Sequence, residues 1–121
     1  MYKLSWHSHQ VLQLSIKGDY TIGEVDVVNE LITKELDNSR NDLLLLIDVS
    51  EMNRPYNFAA IRDRQTFKDH ESLKHIYIVS SENVIKLAMM VIFHLSRAQL
   101  SVVSDMDKAI QIITKRMKQS Y

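Results

Sequence analysis

The chain has 121 residues, 45% hydrophobic and 25% charged, and its fifteen basic and fifteen acidic side chains cancel to a formal net charge of zero. That length suits one domain, 1–121, with a single core, and without a basic excess nucleic acid is not an expected partner. The lack of cysteine excludes disulfides, a thiol nucleophile and thiolate metal sites, and fits a reducing, cytoplasmic setting. The most apolar run, VIKLAMMVIFHL at 84–95, contains Lys86 and His94 and is shorter than the roughly 20 residues of a membrane-spanning helix. The opening MYKLSWHSHQ lacks the apolar centre of a secretory leader.

Two alternating stretches come first, YKLSW at 2–6 and VLQLSIKG at 11–18. Period-two patterning predicts strands with one buried face, here Tyr2, Leu4 and Trp6, then Leu12, Leu14 and Ile16. HSHQ is short enough to link them as a hairpin, and Gly18-Asp19 closes the second strand. Thr21 with Glu24 three residues on is a capping-box signature. Apolar residues at 22, 25, 28, 31, 32 and 36 then keep helical spacing to about Asp37.

LLLLID at 43–48 is a short continuous apolar run, the mark of a strand covered on both faces. Pro55 and Asn57 suit the first turn of a helix over 55–70, although the periodicity there is poor. HIYIVS at 75–80 is the next strand, followed by a helix over 81–97, a strand LSVVS at 100–104 and a final helix capped by Ser104 with Asp107. The basic KRMK near its end complements the helix dipole. The order is β-β-α-β-α-β-α-β-α: an α/β fold with a five-stranded, mostly parallel sheet, right-handed crossovers and an antiparallel N-terminal edge strand.

The strand ending in Ile47-Asp48-Val49-Ser50, then HIYIVSSENVIKLAMMVIF and AQLSVVSDMDKAIQII, where short strands feed helices, carry a resemblance that covers nearly the whole chain. In order and size it resembles the STAS domain, in its SpoIIAA-like branch, the anti-sigma-factor-antagonist fold; lipid-exchange domains of the CRAL-TRIO type are similar in topology. The resemblance implies strands in roughly sequential order with helices packed against the sheet, and a regulatory role through protein contacts. It also implies a phosphorylatable Ser or Thr at the start of the second helix, where phosphate meets a helix N-terminus. This chain departs from that pattern: no Ser or Thr lies between Glu51 and Gln65, and the corresponding turn reads NRPYNF. Ser50 is nearby, but at the strand end.

Other chemistry has no visible carrier. His7 and His9 are two apart, but no spacing fixes a third ligand and both fall in the hairpin link, so no metal is expected. His70 and His75 flank a loop. Asp48, Glu51, Asp63 and Glu82 are the acidic candidates, yet no catalytic motif or phosphate loop accompanies them, and Gly18 and Gly23 do not follow a buried strand as a dinucleotide-binding turn requires. Arg62 and Arg64, with Ser81 and Asn83 at the next helix start, form a candidate anion site; the plainer reading is a solvated helix face. LAMMVIF at 87–93 exceeds what one helical face absorbs. Neighbouring helices, a second chain or an apolar ligand must cover the rest, with Met89, Met90 and Phe93 as its interface or pocket residues.

The sequence therefore predicts a non-enzymatic protein-interaction module without catalytic residues or cofactor, alone or as a homodimer, with Arg54, Tyr56, Asn57 and Phe58 as partner contacts. The competing expectation is a small carrier for an apolar or amphipathic anionic, lipid-like ligand, its head group held by Arg62 or Arg64.

Overall fold

The structure is a computed structural model that describes residues 1–54, 58–67, 69–93 and 96–119. Its elements are β1 (Tyr2–Ser8), β2 (Val11–Gly18), α1 (Ile22–Asn38), β3 (Leu43–Met52), α2 (Phe58–Asp63), β4 (Leu73–Val79), α3 (Asn83–Ile92), β5 (Gln99–Val103) and α4 (Met106–Gln119). The strands form one sheet in the order β1-β2-β3-β4-β5; β1 and β2 are antiparallel and every other pair is parallel. The α/β architecture and sheet composition expected from the sequence are those of the structure.

The sheet divides the core. On one face Leu12, Leu14, Ile16, Leu45, Ile47, Ile76 and Ile78 meet Val25, Val28 and Ile32 of α1, Ile61 of α2 and Ile85, Met89 and Ile92 of α3. On the other, Val11, Leu44, Leu46, Tyr77, Val79 and Val103 meet Ala109 and Ile113 of α4 alone. Residues alternate sides along a strand, so the leucine run of β3 is buried on both faces. Past it the strand continues with half-buried Asp48 and exposed Ser50 and Glu51, and β3 stays paired with β2 through Lys17–Glu51 and Gly18–Met52.

Several boundaries differ from expectation for identifiable reasons. α2 is six residues rather than the span 55–70. Ile61 and Phe67 are both buried, but six helical residues turn through about 600°, so a continued helix would put them on different sides. The chain instead tightens through Arg64 N–H to Ile61 O and Gln65 N–H to Arg62 O, both 3.2 Å, and Phe67 reaches Phe93 with ring centroids 6.0 Å apart. α3 ends at Ile92, with Phe93 as its C-cap; Phe93 and Ala98 are both buried, and β5 begins at Gln99. Asp105, not Ser104, caps α4, its Oδ1 accepting from Lys108 N at 2.8 Å; a carboxylate serves there as well as a hydroxyl and adds favourable charge at the helix start. Half of the expected capping box forms: Thr21 Oγ1 accepts from Glu24 N at 3.2 Å, while the Glu24 carboxylate turns to the Met1 ammonium, also at 3.2 Å. His7 lies within β1 rather than in the link, and Trp6 is 45% exposed rather than buried, because β1 is an edge strand.

Candidate functional site

At the carboxyl ends of β3 and β4 the chain passes into α2 and α3. Arg54 Nε, in the loop after β3, donates to Glu82 Oε1 at 2.6 Å. Glu82 is the N-cap residue of α3 and makes no side-chain capping bond; its own N–H is taken by Ser80 Oγ at 3.1 Å. A carboxylate thus stands beside the helix N-terminus where an exogenous anion would gain most. Arg62 is engaged by Asp63 at 3.2 Å, and Arg64 NH1 holds both oxygens of Asp26 on α1, at 3.0 and 2.8 Å. Ser81 and Asn83 are exposed at the start of α3, and among the described residues no hydrogen bond or ion pair joins them to either arginine. Phe58, at the start of α2, is 42% exposed. Tyr56 and Asn57 lie outside the described residues.

The apolar stretch of α3 is split. Ile85, Ala88, Met89 and Ile92 face the core, as does Phe93 beyond the helix, whereas Val84, Leu87 and Met90 are 47%, 62% and 48% exposed. The spacing 84, 87, 90–91 is one helical face, so an outward stripe backs an inward one. Leu87, Met90 and Val91 border a shallow groove of about 670 Å³ with Arg62, Phe93 and Leu100. Of the three apolar candidates, Met89 and Phe93 belong to the core and Met90 to this surface.

Beneath α4 lies a polar cluster that the sequence pattern did not single out. His75, 7% exposed, stacks on Tyr77 with ring centroids 4.1 Å apart. Its Nε2 is 2.7 Å from Ser101 Oγ and its Nδ1 is 2.6 Å from Arg116 NH1; Arg116 also donates to Tyr77 Oη at 3.3 Å. A guanidinium only donates, so Nδ1 carries the lone pair and the imidazole proton sits on Nε2, donating to Ser101. The pair resembles a base and nucleophile but has the wrong tautomer: a base must accept the serine proton at Nε2. Burial, then the Arg116 charge, lowers the His75 pKa to about 4 against the pull of a Gln99 hydrogen bond. The available signal was positional, since His75 and Tyr77 share one face of β4 and Arg116 is in the last turns of α4.

His70 donates from Nε2 to Asp37 Oδ1 at 2.7 Å while Nδ1 accepts from Ser72 N at 3.0 Å, which fastens the end of α1 to the approach to β4. Among the described residues no three His, Asp or Glu side chains converge as metal ligands.

No protein-family profile matches the chain, and no curated protein matches its sequence. A solved structure is similar over 93% of this chain and 91% of its own, with a TM-score of 0.67 and 15% identity: an uncharacterised protein of the DUF3478 family from Shewanella loihica PV-4, described as having a SpoIIAA-like fold. The fold is SpoIIAA-like. The resemblance drawn from the strand-to-helix pattern therefore holds for the architecture. In this SpoIIAA-like chain Ser50 lies inside β3 and donates to Asp48 Oδ1 at 2.6 Å. Among the described residues no helix is long and apolar enough to cross a membrane.

Proposed function

We propose that this SpoIIAA-like domain is a non-enzymatic protein-interaction module that self-associates through α3 and presents the edge around Arg54 and Phe58, with Tyr56 and Asn57, to a regulatory protein. One observation carries the reading: Val84, Leu87 and Met90 form an outward apolar stripe on a helix whose other side already serves the core. Contiguous apolar surface of this kind marks an interface. A second copy is the occupant we infer. The stripe itself is uncharged, the chain's net charge is zero and so opposes no pairing, and a two-fold axis would set the stripe against its own copy. Arg62 and Lys86 would then lie toward the rim, where charge affects specificity more than affinity.

Native mass spectrometry and light scattering at high micromolar concentration test this. The expected result is a dimer for the wild type and a folded monomer, by far-UV circular dichroism, for the Leu87→Glu, Met90→Glu double variant. A wild type that stays monomeric throughout would remove the self-association. The carrier alternative has weaker support: the space beside Met89 and Phe93 is only about 20 Å³, well below a typical ligand pocket, and the groove bordered by Arg62, Met90 and Phe93 is shallow and open to solvent.

A further inference from the structure

The small space beside Met89 and Phe93 has a chemistry of its own. It lies in the core under α1 and α2, bordered by Tyr20, Val28, Asn29, Ile61, Gln65 and Phe67 together with apolar side chains of the sheet and α3, with about 20 Å³ of room for a water's centre. Asn29 is 4% exposed, and its Nδ2 donates to the Arg64 carbonyl at 2.7 Å. Gln65 Nε2 donates to the Ile61 carbonyl at 3.1 Å. In each amide the backbone carbonyl fixes which end is nitrogen, so the other end is an acceptor. Both of these oxygens, Asn29 Oδ1 and Gln65 Oε1, are buried and without a hydrogen-bond partner.

We propose that the cavity is a hydration site in which one internal water donates to Asn29 Oδ1 and Gln65 Oε1 and so completes the clasp between α1 and the exit of α2. The stoichiometry matches: a water has two protons to give, and the residues lining the space carry two buried acceptors that have nothing to accept. The size matches as well, because one water centre needs roughly 10–15 Å³ and there is not room for a pair. Tyr20, the remaining polar side chain at the border, keeps its proton because burial, reinforced by the Glu24 carboxylate, raises its pKa. It can donate to the water's oxygen.

The donor–acceptor balance also restricts the ligand class. An anion would face two carbonyl oxygens, and a divalent cation would find only two neutral ligands where six or more oxygens are usual. The site takes a small neutral hydrogen-bond donor. It is distinct from the outward stripe of α3, but it helps to set where α2, with Phe58 and Arg62, sits beside that stripe.

Water-oxygen and deuteron magnetic relaxation dispersion of the wild type and of Gln65→Met tests the proposal, since the variant keeps the side-chain length and removes the acceptor. The expected result is a long-lived water signal in the wild type that falls by the amplitude of one molecule in the variant. Equal amplitudes in the two proteins, or no dispersion in the wild type, would overturn it. Should the variant not fold, a high-resolution crystal structure of the wild type decides. Density at hydrogen-bond distance from both oxygens supports the site; a dry cavity, or oxygens paired with protein groups, refutes it.

Discussion

The two faces of the sheet solve the problem of burying polar groups in opposite ways. Under α4 the core is small, and the polar residues that enter it around β4 bond to one another: His75 lies between Ser101 and Arg116, and Arg116 also reaches Tyr77. Under α1, α2 and α3 the core is large and almost wholly apolar, yet buried Asn29 and half-buried Gln65 at its border keep unpaired oxygens. Linked polar groups supply one another's hydrogen bonds, whereas an amide oxygen left unpaired beside hydrocarbon needs a partner from elsewhere. The same contrast extends to the surface. The α4 side leaves Gln13, Ser15, Lys17 and Asp48 beside an open polar depression, while the three-helix side shows apolar side chains to solvent on α3.

The sharpest way to break this comparison is to empty each core in turn. Ile47→Ala, on the three-helix face, should cost about 3–4 kcal/mol, and Ile113→Ala, under α4, nearer about 2 kcal/mol, within the range for large-to-small changes. Urea denaturation of both variants checks the order, and equal losses would mean that the two cores are energetically alike.

The His75 network predicts a pH dependence. Folding lowers the His75 pKa from 6.5 to about 4, so between those values the unfolded chain binds a proton that the folded chain refuses. Stability from this group is full above pH 6.5, declines as the pH falls and is gone below about pH 4; the whole effect is on the order of 3 kcal/mol. Urea midpoints measured from pH 7 to pH 4 should fall more steeply in the wild type than in His75→Gln. Parallel slopes would count against a neutral buried imidazole.

Smaller effects belong to the edges of the two faces. Gly18 ends β2 with φ of +65° and nothing within 4 Å of where a Cβ would sit. Gly18→Ala should therefore cost only the backbone penalty, about 1 kcal/mol in thermal denaturation. The Arg54–Glu82 pair has side chains 67% and 44% exposed. A double-mutant cycle with alanine should give a coupling below about 1 kcal/mol, and a larger value would make the pair a structural clamp.

The layered architecture was legible because its signals are periodic. The leucine run of β3 announced cover on both faces, the alternation in β2 announced one buried side, and the excess of α3 announced apolar surface that neighbouring helices, a second chain or a ligand had to cover. The site was less legible. Arg62 and Arg64 are close in sequence, yet their carboxylate partners Asp63 and Asp26 come from different elements, and no local pattern says which charge a side chain will find. The helix predicted over 55–70 overran because Phe67 is buried by a turn rather than by helical phase. His75 and Arg116 are 41 residues apart, and only the fold brings them together.

In the order β1-β2-β3-β4-β5, position across the sheet repeats position along the chain. Each strand after the first docks on one synthesised just before it, so no strand must wait for a distant segment to emerge or insert between neighbours already paired. A ribosome making this protein from its N-terminus can assemble the sheet by adding one strand at a time to a growing edge. The fourth helix, α4, then closes over the side that the earlier helices left open.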